Sequence, residues 1–99
     1  MIKLQQKFTR PSTSVPFFEA ANRTEVGTVV TALKTAGTIV DITESTSPTG
    51  LVFTRTVFMH DEAAVSVVSA NEVLTANKAA RAAYNAANGI TVTVTKTTV

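Results

Sequence analysis

Residues 61–89, DEAAVSVVSANEVLTANKAARAAYNAANG, run straight into residues 90–99, ITVTVTKTTV. The first stretch is rich in alanine, a strong helix former, and ends in Asn88-Gly89, which stops a helix. The second alternates apolar and threonine positions, the period of a strand. Asp61 is placed to cap the helix start, and Glu62 lies near the positive end of the helix dipole. Ser69-Ala70-Asn71-Glu72 weakens the pattern. Asn71 can cap a fresh helix, so a break or kink is expected there. Beyond it Val73, Ala76, Ala80, Tyr84 and Ala87 form a stripe of mostly small residues, which would let the helix lie close on a sheet.

Immediately upstream, Leu51 to Met59 (LVFTRTVFM) is the most apolar strand of the chain. Leu51, Phe53, Arg55, Val57 and Met59 fall on one face, and Val52, Thr54, Thr56 and Phe58 on the other. Such a strand sits centrally, or has its second face covered by a partner. Before it, STSPTG at 45–50 is turn chemistry, and Thr38 to Glu44 (TIVDITE) reads as another strand. A helix is expected between Asn22 and Gly37, with Asn22 and Glu25 as a start signal and Gly37 as the stop. Its apolar face is Val26, Val29, Val30 and Leu33, spaced i, i+3, i+4 and i+7. Residues 2–9 are a strand with Ile2, Leu4 and Phe8 on one side, interrupted by Gln6. The loop RPSTSVPFFEAA follows, extended by Pro11 and Pro16, and its Phe17 or Phe18 is expected to plug the end of the core.

The order is strand, helix, strand, strand, helix, strand. In a single domain spanning residues 1–99, this predicts an α+β, βαββαβ ferredoxin-like fold. Its four-stranded antiparallel sheet would carry two helices on one face, with the first and third strands central. Thr91, Thr93, Thr95 and Thr97 suit a solvated face of an edge strand.

Composition narrows the chemistry. The net charge is +2, too small to imply a polyanion partner. There are no cysteines, which excludes disulfides, thiolate metal sites and thiol catalysis. No segment has the length of a membrane span or a signal peptide, so no membrane partner is expected. His60 is the only histidine, beside Asp61 and Glu62, and adjacent residues rarely converge on one metal ion. Asp41 and Glu44 are three apart on a strand and point to opposite faces, a poor carboxylate pair. No phosphate-binding loop, nucleophile elbow or zinc-protease motif occurs. The third strand lacks the spacing of base-stacking aromatics that RNA-recognition motifs use, which weighs against nucleic acid.

FTRPST, at Phe8 to Thr13, and ARAAYNAANGITVTV, at Ala80 to Val94, together resemble small proteins encoded among the structural genes of tailed bacteriophages. In those proteins a helix ending in Tyr-Asn-x-x-Asn-Gly-Ile feeds a final strand. The likeness covers both ends of the chain and carries no functional residues. It implies a non-enzymatic structural or interaction protein, a virion or assembly component placed in the particle and assembled in the host cytoplasm. Its partners would be proteins, itself or other virion components, and it would use no cofactor. Phe17, Phe18, Val52 and Phe58 are the candidate interface residues.

The alternative is a dimeric α+β barrel, pairing sheet to sheet. It would be either a small-molecule-binding protein or an enzyme like the cofactor-independent monooxygenases built on this fold. That reading expects an enclosed cavity between helices and sheet with Arg55 reaching into it. Arg55 separates the two: paired with Asp41 or Glu44 it is structural, and facing a pocket it is a site.

Overall fold

The computed structural model describes all residues, 1–99. Its elements are β1 (Ile2–Thr9), α1 (Arg23–Thr35), β2 (Ile39–Thr46), β3 (Val52–Met59), α2 (Glu62–Ala70), α3 (Glu72–Ala87) and β4 (Thr91–Thr98). The strands form one antiparallel sheet in the order β2-β3-β1-β4, with β3 and β1 central. This is the expected α+β ferredoxin-like fold, with the second helical region divided in two. Asn71 makes the division. It ends α2 in an extended conformation, and its side-chain oxygen accepts the Leu74 amide at 3.1 Å to start α3. Asp61 caps α2 in the same way, accepting the Ala64 amide at 2.9 Å.

The start of α1 departs from expectation. Asn22 precedes the helix but makes no capping bond, and its amide instead donates to the Glu25 carboxylate at 3.4 Å. The four apolar residues Val26, Val29, Val30 and Leu33 are half-buried, and no residue of α1 is fully buried. Packing along one stripe therefore holds a helix whose own propensity is low. Its end is a Schellman closure, with Gly37 donating to Lys34 and Thr38 to Leu33, each at 3.0 Å. The end of α3 repeats the device. Gly89, at φ +69°, turns the chain so that the Ile90 amide reaches the Asn85 carbonyl at 2.9 Å. Only glycine adopts that backbone cheaply, and Ile90 is thereby buried at the entry to β4.

Register sets what the helices cover. Four rows cross the helix-facing side of the sheet, each read from β2 through β3 and β1 to β4. They are Ile39-Met59-Ile2-Thr98, Ile42-Val57-Leu4-Lys96, Glu44-Arg55-Gln6-Val94 and Thr46-Phe53-Phe8-Val92. A bulge at Val40, between Ile39 and Asp41, keeps Ile42 and Glu44 on this side. The first two rows hold the core. Ile2, Met59 and Ala64 of α2 are buried together, with Leu4, Val57, Val65 and Val68 against them. Only 8 of 99 residues are fully buried; the one contiguous buried cluster sits at this end, while Phe8 and Ile90 are buried separately at the other.

The opposite face of the sheet carries no helix. Asp41, Phe58, Lys3 and Thr97 form one of its rows, and threonines and Gln5 fill the middle. All of β4 is exposed, including Val92 and Val94 on the helix-facing side, at 43% and 55%. Where a helix reaches that edge, Glu62 of α2 meets Lys96 at 2.8 Å.

Candidate functional site

The third and fourth rows make the candidate site, because there the space between helices and sheet is lined by charge and aromatic rings rather than by aliphatic side chains. Phe8 and Phe53 are neighbours across β1 and β3, with ring centroids 6.1 Å apart. Phe17 from the loop after β1 packs on Phe53 at 5.7 Å. A guanidinium lies over each of the three rings. Arg10 is 4.4 Å from the centre of Phe17, Arg55 is 5.6 Å from Phe53, and Arg81 is 5.7 Å from Phe8.

The three arginines differ in what answers their charge. Arg10 is a strut: it donates to the Gly50 carbonyl at 2.7 Å and to the Val15 carbonyl at 3.0 Å, pinning the loop to the β2–β3 turn. Arg55 meets Glu44 of the neighbouring strand at 3.4 Å, a single contact between half-exposed side chains. By the criterion set from the sequence, that pairing is structural, yet it occupies one nitrogen only and leaves the other donors of Arg55 without a partner in the chain. Arg81 is half-buried and forms no ion pair, since the three in the chain use Arg55, His60 and Lys96. Burial first, and the nearby positive charge of Arg55 second, hold its pKa below the ordinary arginine value. The rows and α3 thus bring a second guanidinium near Arg55, whose one carboxylate partner is Glu44.

Arg81 reaches this place because of the phase of α3. The residues turned inward are Val73, Leu74, Asn77, Arg81, Tyr84, Asn85 and Asn88. The expected alanine stripe is therefore corrected. Tyr84 and Val73 do face inward, but Ala76, Ala80 and Ala87 are exposed, as are Ala79, Ala82, Ala83 and Ala86. Alanine supplies helix propensity on the outer side, where leaving a methyl group in water costs little. Tyr84 holds the phase. Its ring meets Phe18 at 5.7 Å and its hydroxyl donates to the Pro16 carbonyl. Asn85, one turn after Arg81, is 4% exposed, and its side-chain amide makes no hydrogen bond within the chain. No polar side-chain atom is sealed from solvent without a partner, so this amide still reaches water.

Reading the sequence missed Arg81 and Asn85. The available signal was spacing: counted from Leu74 in steps of three and four, the inward positions are 77, 81, 85 and 88, all polar. Gln6, noted only as an interruption, lies opposite Arg55 and completes a polar row.

The remaining candidates are spread out. Phe17 and Phe18 both serve the chain's own packing, on Phe53 and Tyr84 respectively. Val52 and Phe58 are half-buried on the helix-free face. His60 is at the far end of the sheet, 75% exposed and 3.9 Å from Asp61. An enclosed cavity containing Arg55 does not form. The two best-defined hollows are shallow, about 190 and 210 Å³, one between Gly37, His60 and Val67 and the other between Phe18, Asn22 and Ala80. The arginine end is instead flanked by the exposed Val92 and Val94 of β4.

The backbone as a whole is similar to the crystal structure of a putative antibiotic biosynthesis monooxygenase from Deinococcus radiodurans. The TM-score is 0.64 at 13% identity, over 100% of this chain and 92% of that one. At that identity the likeness is one of fold. No protein-family model matches the chain, and no curated protein is similar to it in sequence. This corrects the expectation of a phage virion component. The relation that emerges is to a protein named for small-molecule chemistry, and none connects the chain to structural proteins of phages.

Proposed function

We propose that this chain is a small-molecule-binding domain of the dimeric α+β barrel kind, its ligand held at the arginine–aromatic end of the helix-facing sheet. One observation carries the reading: Arg81, half-buried, is turned inward without an acceptor of its own. Structural arginines are answered by carbonyls or carboxylates, as Arg10 is. An inward guanidinium left to water is instead poised to exchange that water for a ligand. The fold likeness supports the same reading, since the Deinococcus radiodurans protein bears the name of an enzyme acting on small molecules.

The side chains at this end bind and orient: guanidinium, amide and aromatic ring. A monooxygenase-like activity on the bound molecule is the enzymatic form of the reading, and it predicts oxygen uptake when the ligand is added.

Pairing would use the helix-free face, where Phe58 is the one aromatic ring among threonines and charges. Light scattering on the eluting protein tests this. The expected mass is twice the 10.4 kDa of the chain, and Phe58→Lys should return it to the monomer with the fold intact. A wild-type monomer at all concentrations would remove the barrel from the proposal.

A further inference from the structure

We infer that Arg81, with Arg55 and Asn85, receives the carboxylate of an amphipathic organic anion whose apolar body lies on the exposed valines of β4. The inference deepens the proposed function and rests on it. Charge sets the first half. Arg81 has no ion pair, and the charged group that acts on it is Arg55, whose own carboxylate partner Glu44 lies at 3.4 Å. The deficit is one negative charge, which suits a carboxylate better than a dianion. A guanidinium and a buried amide on successive turns of one helix face offer the donors that a carboxylate accepts.

Surface chemistry sets the second half. Val92 lies beside Phe8 in the sheet and Val94 beside Gln6, on the side that faces the helices. Neither is covered, at 43% and 55% exposure, although both belong to the rows that contain the site. A purely ionic ligand would leave this strip in water. A planar or branched apolar body attached to the anion would cover it and continue the packing of Phe8 and Phe53.

Three probes separate the parts of the inference: 2-naphthoate, its neutral counterpart 2-naphthamide, and inorganic sulfate, each titrated by calorimetry and by amide chemical shifts. The naphthoate should bind at least about tenfold more tightly than the naphthamide, as expected when a charge-assisted contact is lost. Sulfate should bind more weakly than the naphthoate. Arg81→Met should remove the preference for the anion, and Val94→Asp should weaken the naphthoate. Circular dichroism certifies each fold, and Arg81→Gln is measured beside Arg81→Met as a second variant without the charge.

Equal binding of naphthoate and naphthamide would overturn the inference while leaving the binding domain in place. Sulfate binding as tightly as naphthoate would overturn the apolar half. Unchanged naphthoate affinity in both Arg81 variants would overturn it altogether. A chain that is monomeric and binds none of the three would remove the underlying reading too.

Discussion

The two ends of one sheet surface are built on opposite terms. At one end Ile2, Met59 and Ala64 bury one another, and Leu4, Val57, Val65 and Val68 close around them. At the other, Phe8 and Phe53 lie under guanidinium groups, and the row between the ends runs Glu44-Arg55-Gln6. The same strands supply both ends a few residues apart. The difference lies in the helices: α2 brings Ala64, Val65 and Val68, whereas α3 brings Asn77, Arg81 and Asn85. A small domain has little apolar area with which to hold itself together. Placing polar groups in half of that layer is a cost to stability, of the kind proteins accept at sites of function.

The comparison breaks most sharply at Met59, the most deeply buried large side chain, at 2% exposure. Met59→Ala should lower stability by about 2–4 kcal/mol, since a cavity opens among residues held on three sides. In a domain of this size, urea denaturation should show that loss as a large shift in midpoint. Arg55→Ala, on the same face of β3 but in the polar row, should shift the midpoint by well under half as much. Equal losses would mean that the two ends contribute alike, and the contrast drawn above would fail.

Asn71 comes next, because it fixes where α3 begins and therefore which side turns inward. Asn71→Ala removes the bond to the Leu74 amide and should cost about 1 kcal/mol by denaturation. Hydrogen exchange should localise the effect to the first turns of α3, leaving the Met59 end protected.

Most of the fold was legible because it depends on local signals. Strand alternation in residues 2–9 and 51–59, the helix stops at Gly37 and Asn88-Gly89, and the capping residues Asp61 and Asn71 all act within a few positions of themselves. The site was not legible in that way. Arg55 and Gln6 become neighbours only through strand register, and Arg81 joins them only through the rotation of α3. That rotation is held by Tyr84 against Phe18 and Pro16, a contact between residues 68 positions apart for the hydroxyl. Alanine misled, since seven exposed alanines of α3 resemble a packing stripe when the helix is read without its neighbours. The helix-stop motif misled about function for a related reason: it records how a chain turns, which says nothing about what the molecule does.

Arg81 itself gives an effect of opposite sign. Because burial lowers its pKa, the charged form is disfavoured in the folded state relative to the unfolded chain. A guanidinium stays protonated throughout the accessible range, so this penalty is present at all of it, from about pH 5 to about pH 9. Arg81→Met keeps an unbranched stem over Phe8 and removes the charge. It should raise the stability of the ligand-free protein slightly, and equally at both ends of that range. A structural arginine would give the reverse, a loss of stability on substitution, so thermal midpoints at two pH values decide between the two roles.

The smallest effect should come from Glu44. Its contact with Arg55 is single, 3.4 Å long and half-exposed, so Glu44→Gln should change stability by less than about 0.5 kcal/mol. Its consequence for binding should be larger than its consequence for folding. With the carboxylate gone, Arg55 and Arg81 both lack a counter-charge within the chain, and an added anion meets less competition for Arg55. Naphthoate affinity should rise, and its dependence on ionic strength should steepen because more uncompensated charge is neutralised on binding. An unchanged affinity would mean that Arg55 takes no part, and would confine the anion contact to α3. The pair then separates the two duties of the polar row: Glu44 restrains Arg55 in the free protein, and a ligand carboxylate takes over that restraint when it binds.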